Sequence, residues 1–296
     1  MTADSTVAIP FPTPNTFQER LSALLPGFSS VNWVDSTGST NKDLGDLARE
    51  MVGATSWPRL LGAHLQTAGK GRAARPWHNT AGACLMFSCG FAPRIGAGEL
   101  PGIAPALGIA SCLAIRSLLV PRLGVRAAHQ LTLKWPNDLQ WKGAKLAGIL
   151  VETAPSAKSQ QPLLVIGMGL NLSGAAQLSA ELNRPVADFS HILDDHNVDP
   201  IELVATLAQA WQRSLQDYAT TGYAGFAARY QEVDGLLGEQ VDVIDQGKLL
   251  HTGIARGTDS IGRLKIETSS GILPILVGDI SIKPRNQPQP SPARDA

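Results

Sequence analysis

The sequence predicts an α+β fold: a mixed, largely antiparallel sheet with helices packed on one side, followed by a small C-terminal β-barrel. Three observations carry this reading. Strand-like runs rich in Val, Leu and Ile, ended by Pro, Gly or Asn, recur between Val31 and Asn171. The connection KWPNDLQWKGAKLAG between two of them is far too short for a helical crossover, so its flanking strands pair antiparallel. From Gly238 onward the texture shifts to short strands separated by turn residues.

In chain order, a short helix around Phe17 to Leu25 leads into an extended VNWVDS segment. Ser39 or Thr40 then caps a helix through Leu44, Leu47 and Ala48, which sets hydroxyls beside free N–H groups. RLLGAHLQ is a strand, GKGRAARPWHN a loop too polar and glycine-rich for either regular state, and ACLMFSCGF a second strand. Apolar residues at 103, 106, 107, 110, 113, 114, 117 and 118 recur with the helical period and predict a well-buried helix. QLTLKW, KLAGILVET and PLLVIGMGLNL are three further strands. Leu203, Leu207, Trp211 and Leu215 restore the helical pattern over 201–232. EQVDVI, KLLHTGIAR, GRLKIET, ILPILVG and DISIK then supply the strands of a five-stranded barrel. The organisation is an N-terminal tail and short helix (1–30), a central domain (31–235), the barrel (236–285) and a disordered tail (286–296). Both ends are rich in Pro and small polar residues, with too little apolar surface to offset ordering entropy.

With 296 residues, 44% hydrophobic and 17% charged, the chain is long and apolar enough to bury a sizeable core. Lys+Arg and Asp+Glu both number 25, so nothing in the global balance draws it to nucleic acid or an anionic membrane. A site for an anionic ligand must be local. The opening MTADSTVAIPFPTPNT lacks a basic region and is broken by Pro10, Pro12 and Pro14, unlike a secretory signal. No apolar stretch reaches membrane-spanning length without Gly, Pro or charge. Cys84, Cys89 and Cys112 are odd in number and lack metal-ligand spacing, which predicts free core thiols and a reducing, cytoplasmic setting.

Three stretches carry chemistry. Gly69-Lys70-Gly71-Arg72-Ala73-Ala74-Arg75-Pro76-Trp77 sets three cations on a loop whose glycines allow close backbone approach. Such a loop suits a phosphate with a neighbouring carboxylate, although a solvated basic turn has the same spacing. Trp77 at its end is placed to stack on a base or cover a ligand. Lys134-Trp135-Pro136-Asn137-Asp138 stands where a strand stops, and Lys145-Leu146-Ala147-Gly148 where the next begins. Lys134 and Lys145 lie near strand interiors, where a lysine needs an anionic partner. Gly167-Met168-Gly169-Leu170-Asn171 closes a hydrophobic strand; a bulge or tight packing explains such glycines more often than a ligand does. Together Lys70, Arg72, Arg75, Lys134 and Lys145 supply what adenylation of a carboxylate requires. The nucleophile and the α-phosphate are both negative, and must be neutralised and held in line.

GSTN, Q-x-x-G-x-G-R, KWPND, KLAGILVE and IGxGxN, in this order between about Val31 and Lys283, resemble the catalytic core of biotin–protein ligases, a class II synthetase-like fold. GIARGTDSIGRL and GDISIK resemble that family's C-terminal SH3-like barrel. The resemblance implies ATP-dependent activation of biotin to biotinyl-AMP with release of pyrophosphate. Biotin then passes to a lysine of a biotin carboxyl carrier protein, that of acetyl-CoA carboxylase or a related carboxylase. It implies Ser39, Thr40, Asn41 and Gln66 at the ureido end of biotin, where hydroxyls and amides suit a ring that both donates and accepts. Lys70, Gly71 and Arg72 would fold over biotin and the adenylate, and Arg72, Arg75, Trp77, Asn137 and Asn171 would take the ATP side. Lys145 is expected on both the biotin carboxylate and the α-phosphate, where its charge counts most as the pentavalent phosphate forms. Lys134 and Arg72 support the same charge, and Asp138 orients the incoming amine or accepts its proton. Mg²⁺ is expected on the ATP phosphates, with no protein ligand assigned.

Two residues depart from the family loop GRGRxGRxW. Lys70 replaces the first arginine, keeping the charge but not the bidentate fork, and Ala74 stands where the last glycine is usual. The residues before Val31 are too few for the helix-turn-helix that makes some members DNA-binding repressors, so the short form, binding neither DNA nor membrane, is expected. Monomer and homodimer both remain open. The loop from 69 to 77 is expected to be disordered in the empty enzyme, for want of apolar anchorage. A lipoate–protein ligase or octanoyltransferase shares the fold and the acyl logic, but KWPND and the barrel favour biotin. A non-catalytic biotin sensor is opposed by Lys145, Arg72 and Asp138. A nucleic-acid-binding barrel is opposed by zero net charge and the lack of interleaved aromatics.

Overall fold

The computed structural model describes residues 11–50, 56–154, 163–193, 199–245, 248–276 and 280–284. The first half contains α1 (Pro14–Leu24), β1 (Ser30–Thr37), α2 (Thr40–Glu50), β2 (Arg59–Gln66), β3 (Cys84–Phe91), α3 (Ile103–Leu123) and α4 (Val125–Ala128). Then come β4 (Leu131–Lys134), β5 (Asp138–Trp141), β6 (Ala144–Ala154), β7 (Leu163–Asn171), α5 (Ala175–Leu182), α6 (Phe189–Ile192), α7 (Pro200–Thr221) and α8 (Ala227–Val233). The chain closes with β8 (Gln240–Asp245), β9 (Lys248–Thr258), β10 (Leu264–Thr268), β11 (Gly271–Ile275) and β12 (Ile280–Pro284). The expected tail at 286–296 and most of the one before α1 lie outside the described residues. α1 begins at Pro14 rather than Phe17, because the Thr13 hydroxyl accepts the Thr16 N–H and Pro14 suits the first turn.

β1 to β7 form one seven-stranded sheet in the order β1-β2-β3-β7-β6-β5-β4. Only β1 and β2 run parallel, and α2 is the crossover that joins them. The remaining pairs are antiparallel, including the β4–β5–β6 meander whose turns hold the charged stretches. The sheet is therefore mixed and largely antiparallel, as its short connections predict.

Side-chain alternation decides which face each helix covers. Leu164, Ile166, Met168 and Leu170 of β7 enter the main core with α1, α3 and α7. There Phe17 stacks on Trp33 at 3.9 Å, Phe87 stacks on Trp211 at 5.3 Å, and the Trp211 indole N–H donates to the Ser111 hydroxyl at 2.8 Å. Leu163 and Val165 point the other way and pack with Leu44 and Ala48 of α2. The expectation of helices on one side thus holds for the large helices, whereas α2 lies on the opposite face. The stretch Ala97–Leu123 is long and apolar enough to cross a membrane by length and composition, but Gly, Pro and charged residues interrupt it, as expected, and most of it is buried inside the fold against α7 and the sheet.

β8 to β12 make an antiparallel sheet in the order β11-β10-β9-β8-β12. Among the described residues no pairing of β11 with β12 closes it, so the five strands are those expected but the hydrogen-bonded barrel is not complete. Register shifts at Val243/Ile244 and Leu264/Ile266 mark bulges that curve it. Its apolar residues Val241, Val243, Ala255, Leu264, Ile266 and Ile275 join the main core rather than forming one of their own. The turn between β9 and β10 is the point of attachment: the buried Trp135 indole N–H donates to the Gly262 carbonyl at 2.9 Å. The Tyr223 and Thr258 hydroxyls meet beside it at 3.0 Å.

Cys84, Cys89 and Cys112 are free and buried. Burial pushes the Cys84 thiol up to about 11 against a hydrogen bond from Trp77, Cys112 up to about 12, and Cys89 well above its usual value. Without thiolate these groups are inert. The folded protein is expected to resist iodoacetamide at pH about 8 and to label at all three positions in denaturant; mass spectrometry showing rapid native labelling would contradict this.

Candidate functional site

A cavity of about 170 Å³ opens on the face of the large sheet that carries α2. Strand register builds its floor. Ser88 of β3, Gly167 of β7 and Leu150 of β6 lie side by side in one row, and Met86, Gly169 and Gly148 in the next. These glycines are required by what stands over them. A Cβ on Gly169 would come within 2.2 Å of the Trp77 indole, and one on Gly167 within 2.2 Å of Asn41 Oδ1.

One end of the cavity is neutral and rich in hydrogen-bonding groups. Ser39, Thr40 and Asn41 begin α2, and Gln66 ends β2 beside them. Gln66 Oε1 accepts the Thr40 backbone N–H at 2.7 Å, so a side chain from β2 caps the helix. The buried Thr40 and Ser88 hydroxyls meet at 2.7 Å, Ser88 donates to Asn41 Oδ1 at 2.6 Å, and Asn41 Nδ2 donates to Glu152 Oε2 at 2.8 Å.

The other end is cationic. Lys70, Arg72 and Arg75 come from the loop, Lys134 from β4, Lys145 from β6 and Arg184 from the segment after α5. The loop follows a defined course. Gly71 N–H donates to the Arg75 carbonyl at 2.8 Å and Trp77 N–H to the Gly69 carbonyl at 2.9 Å. Trp77 supplies the apolar anchor that composition understated: its ring lies over Gly148 and Gly169, with its indole N–H 3.4 Å from Cys84 Sγ. Ala73 and Ala74 adopt φ of 52° and 55°. Ala74, where the resemblance leads one to expect glycine, thus holds a left-handed conformation at a cost of about 1–2 kcal/mol.

Lys145 Nζ donates to Asp138 Oδ1 at 2.7 Å, both side chains being largely buried, and stands 5.4 Å from the centre of the Trp77 ring. Burial opposes the charge on Asp138, but the Lys145 charge and hydrogen bond, with Lys134 and Arg184 behind them, outweigh it and hold the carboxyl below its usual range. Asn137 locks the turn by donating to the Ile149 carbonyl at 2.7 Å and accepting the Ile149 N–H on its own carbonyl at 3.0 Å.

Of the residues singled out from sequence, Ser39, Thr40, Asn41, Gln66, Lys70, Gly71, Arg72, Arg75, Trp77, Lys134, Asn137, Asp138 and Lys145 all line this cavity. Asn171 does not. It is buried behind the wall and donates to the Ala187 carbonyl at 3.1 Å and the Lys145 carbonyl at 3.4 Å, bracing the start of β6. Ser88 and Arg184 were missed. A lone serine in the apolar run LMFSCGF was the available signal for the first; nothing local marked the second.

Residues 49–171 match the biotin/lipoate A/B protein ligase family, and residues 236–283 match the biotin protein ligase C-terminal domain. The biotin–[acetyl-CoA-carboxylase] ligase of Mycobacterium tuberculosis is 32% identical over 86% of this chain and 89% of its own length. The chain belongs to the biotin–protein ligase family. It is accordingly an enzyme of the ligase class. A biotin–[acetyl-CoA-carboxylase] ligase from Paracoccus denitrificans is 32% identical over 79% of this ligase and 93% of its own length. The biotin protein ligase of Aquifex aeolicus, solved in complex with biotin and ATP, has a TM-score of 0.71 at 24% identity and covers 87% of this chain and 100% of its own. That likeness speaks for the fold. The C-terminal match separates this ligase from the lipoate alternative that the first match leaves open.

Proposed function

We propose that this ligase joins biotin to ATP as biotinyl-AMP and then passes it to a lysine of a carboxylase carrier protein. The observation that carries this reading is the polarity of one cavity. Its neutral end, with Thr40 and Gln66, fits a cyclic urea, and its cationic end, centred on Lys145, fits a carboxylate facing a phosphate. In the first step a biotin carboxylate oxygen attacks the α-phosphorus, the bond to the bridging oxygen breaks, and pyrophosphate leaves with its electron pair. Lys145, with Lys134 and Arg72 nearby, neutralises both partners in the approach and the charge on the five-coordinate phosphorus. Arg75 and Trp77 take the nucleotide side. In the second step the acceptor amine attacks the biotinyl carbonyl, the bond from that carbon to the phosphate oxygen breaks so that AMP leaves with its electron pair, and the proton lost by the nitrogen passes to solvent. Asp138, a weak base while Lys145 holds its carboxyl low, orients that amine rather than storing its proton.

Among the described residues no group of three His, Cys, Asp or Glu could hold a metal ion, and Asp138 is engaged by Lys145. No protein ligand for magnesium is assigned, and Mg²⁺ would enter on the nucleotide phosphates. The division of labour places the chemistry in residues 31–235 and bracing in 236–285. The acceptor is a biotin carboxyl carrier domain, of acetyl-CoA carboxylase or a relative, met in the cytoplasm.

ATP–pyrophosphate exchange by the purified protein, run with biotin, with lipoate and with neither, tests this reading. Exchange only with biotin is expected. Exchange with lipoate alone, or tight biotin binding with no exchange, would sink it.

A further inference from the structure

The hydrogen bonds behind Thr40 have a direction, and Glu152 sets it. Glu152 is exposed on β6, outside the cavity lining, and its carboxylate can only accept. Asn41 must therefore turn its NH₂ to Glu152, which leaves Oδ1 facing Ser88. The amide occupies the space that a side chain at position 167 would fill. Ser88 spends its single proton on Asn41 Oδ1, so its 2.7 Å contact with Thr40 is one in which the Thr40 hydroxyl donates. The other partner of that hydroxyl, Gln66 Oε1 at 3.2 Å, is also an acceptor. In either case the Thr40 proton is committed to the protein, and only lone pairs remain for a ligand. Gln66 is polarised in the opposite sense: its Oε1 is held by Thr40, and its NH₂ has no acceptor among the described residues.

We propose that Glu152, acting through Asn41 and Ser88, is a specificity-determining positioning residue that makes Thr40 an obligate acceptor for a ligand N–H. With the Gln66 NH₂ as the adjacent donor, the pair reads an N–H beside a C=O, the edge of a cyclic urea. It gives nothing to a ring of carbon and sulfur alone. The proposal rests on biotin being the acid that this cavity activates. Neither Glu152 nor Ser88 is needed for the phosphate chemistry at the other end. Replacing Glu152 by the isosteric glutamine frees Asn41 to flip, after which the chain can reverse: Ser88 then donates to Thr40 and takes up a lone pair that a ligand N–H would otherwise meet.

The test compares wild type, Glu152→Gln and Ser88→Ala in biotin-dependent ATP–pyrophosphate exchange and in biotin binding by calorimetry, using biotin and a biotin methylated on a ureido nitrogen. The expected result is a rise of about tenfold in Kd and KM for biotin in both variants, with kcat at saturating biotin and KM for ATP within about twofold of wild type. The affinity penalty for the methylated analogue, large in wild type, should shrink in Glu152→Gln. A folded Glu152→Gln protein that binds biotin as wild type does overturns the proposal, as does a loss confined to kcat or to ATP. So does an unchanged methylation penalty. Wild-type protein inactive with biotin would instead overturn the functional reading beneath it, a result the variants cannot mimic.

Discussion

Replacing Lys145 by alanine is expected to lower kcat for biotin-dependent pyrophosphate exchange by about two to three orders of magnitude, the usual cost of removing one preorganised charge-stabilising group. The loss is twofold in origin. The ammonium nearest the reacting oxygens disappears, and Asp138, left without its 2.7 Å partner, adds a negative charge beside two negative substrates. Lys145→Arg, which keeps the charge and changes its shape, should recover part of the rate. The pair also links the site to pH. Because the Asp138 carboxyl is held below its usual range, the stabilisation it contributes is complete above the ordinary carboxylate value and is lost as pH falls through the lower folded-state value. In Lys145→Ala that depression should largely vanish, so acid unfolding would begin at higher pH. Radiolabelled pyrophosphate exchange and acid titration followed by circular dichroism check both statements; a variant with wild-type kcat would remove Lys145 from the chemistry.

Gly262→Val is expected to be the most damaging single change remote from the cavity. Gly262 sits at φ +88°, which costs a side chain about 1–2 kcal/mol. A Cβ there would also lie 3.0 Å from Gly102 Cα and 3.0 Å from the Tyr223 ring. Relief by withdrawal of the turn would leave the buried Trp135 N–H without its acceptor, worth about 1–3 kcal/mol. A total near 4 kcal/mol should lower the thermal midpoint by on the order of 10 °C. Trp135 lies between Lys134 and Asp138, so exchange activity should fall together with stability. A variant of unchanged midpoint and rate would show that the β9–β10 turn is not an anchor.

The strands and large helices were legible because their signals are local. Val, Leu and Ile runs, the 3.6-residue period of α3 and the short span from KWPND to KLAG needed no distant partner to be interpreted. The cationic half of the site was legible for the same reason, since buried lysines at strand ends must meet anions. What escaped depended on register and on chain segments far apart in sequence. Ser88 acquires meaning only beside Gly167 and Asn41, which β3, β7 and α2 bring to it. Arg184 arrives on the segment that backbone hydrogen bonds between Lys145, Pro185 and Ala187 tie to β6. Asn171 has the composition of a ligand-binding residue but its strand turns it into a brace. The side chosen by α2 followed from the alternation of Leu163 and Val165 against Leu164 and Ile166, a distinction invisible in an unbroken apolar run.

The glycine floor has a consequence for engineering the cavity. At Gly148, Gly167 and Gly169 the sheet already presents bare backbone, so every substitution there adds volume and none can remove it. At these three positions the site can be filled but not deepened. A variant made to accept a bulkier acid must gain its room from their neighbours, Leu150 on the floor or the side chains of α2 and the 69–77 loop, which can still be shortened.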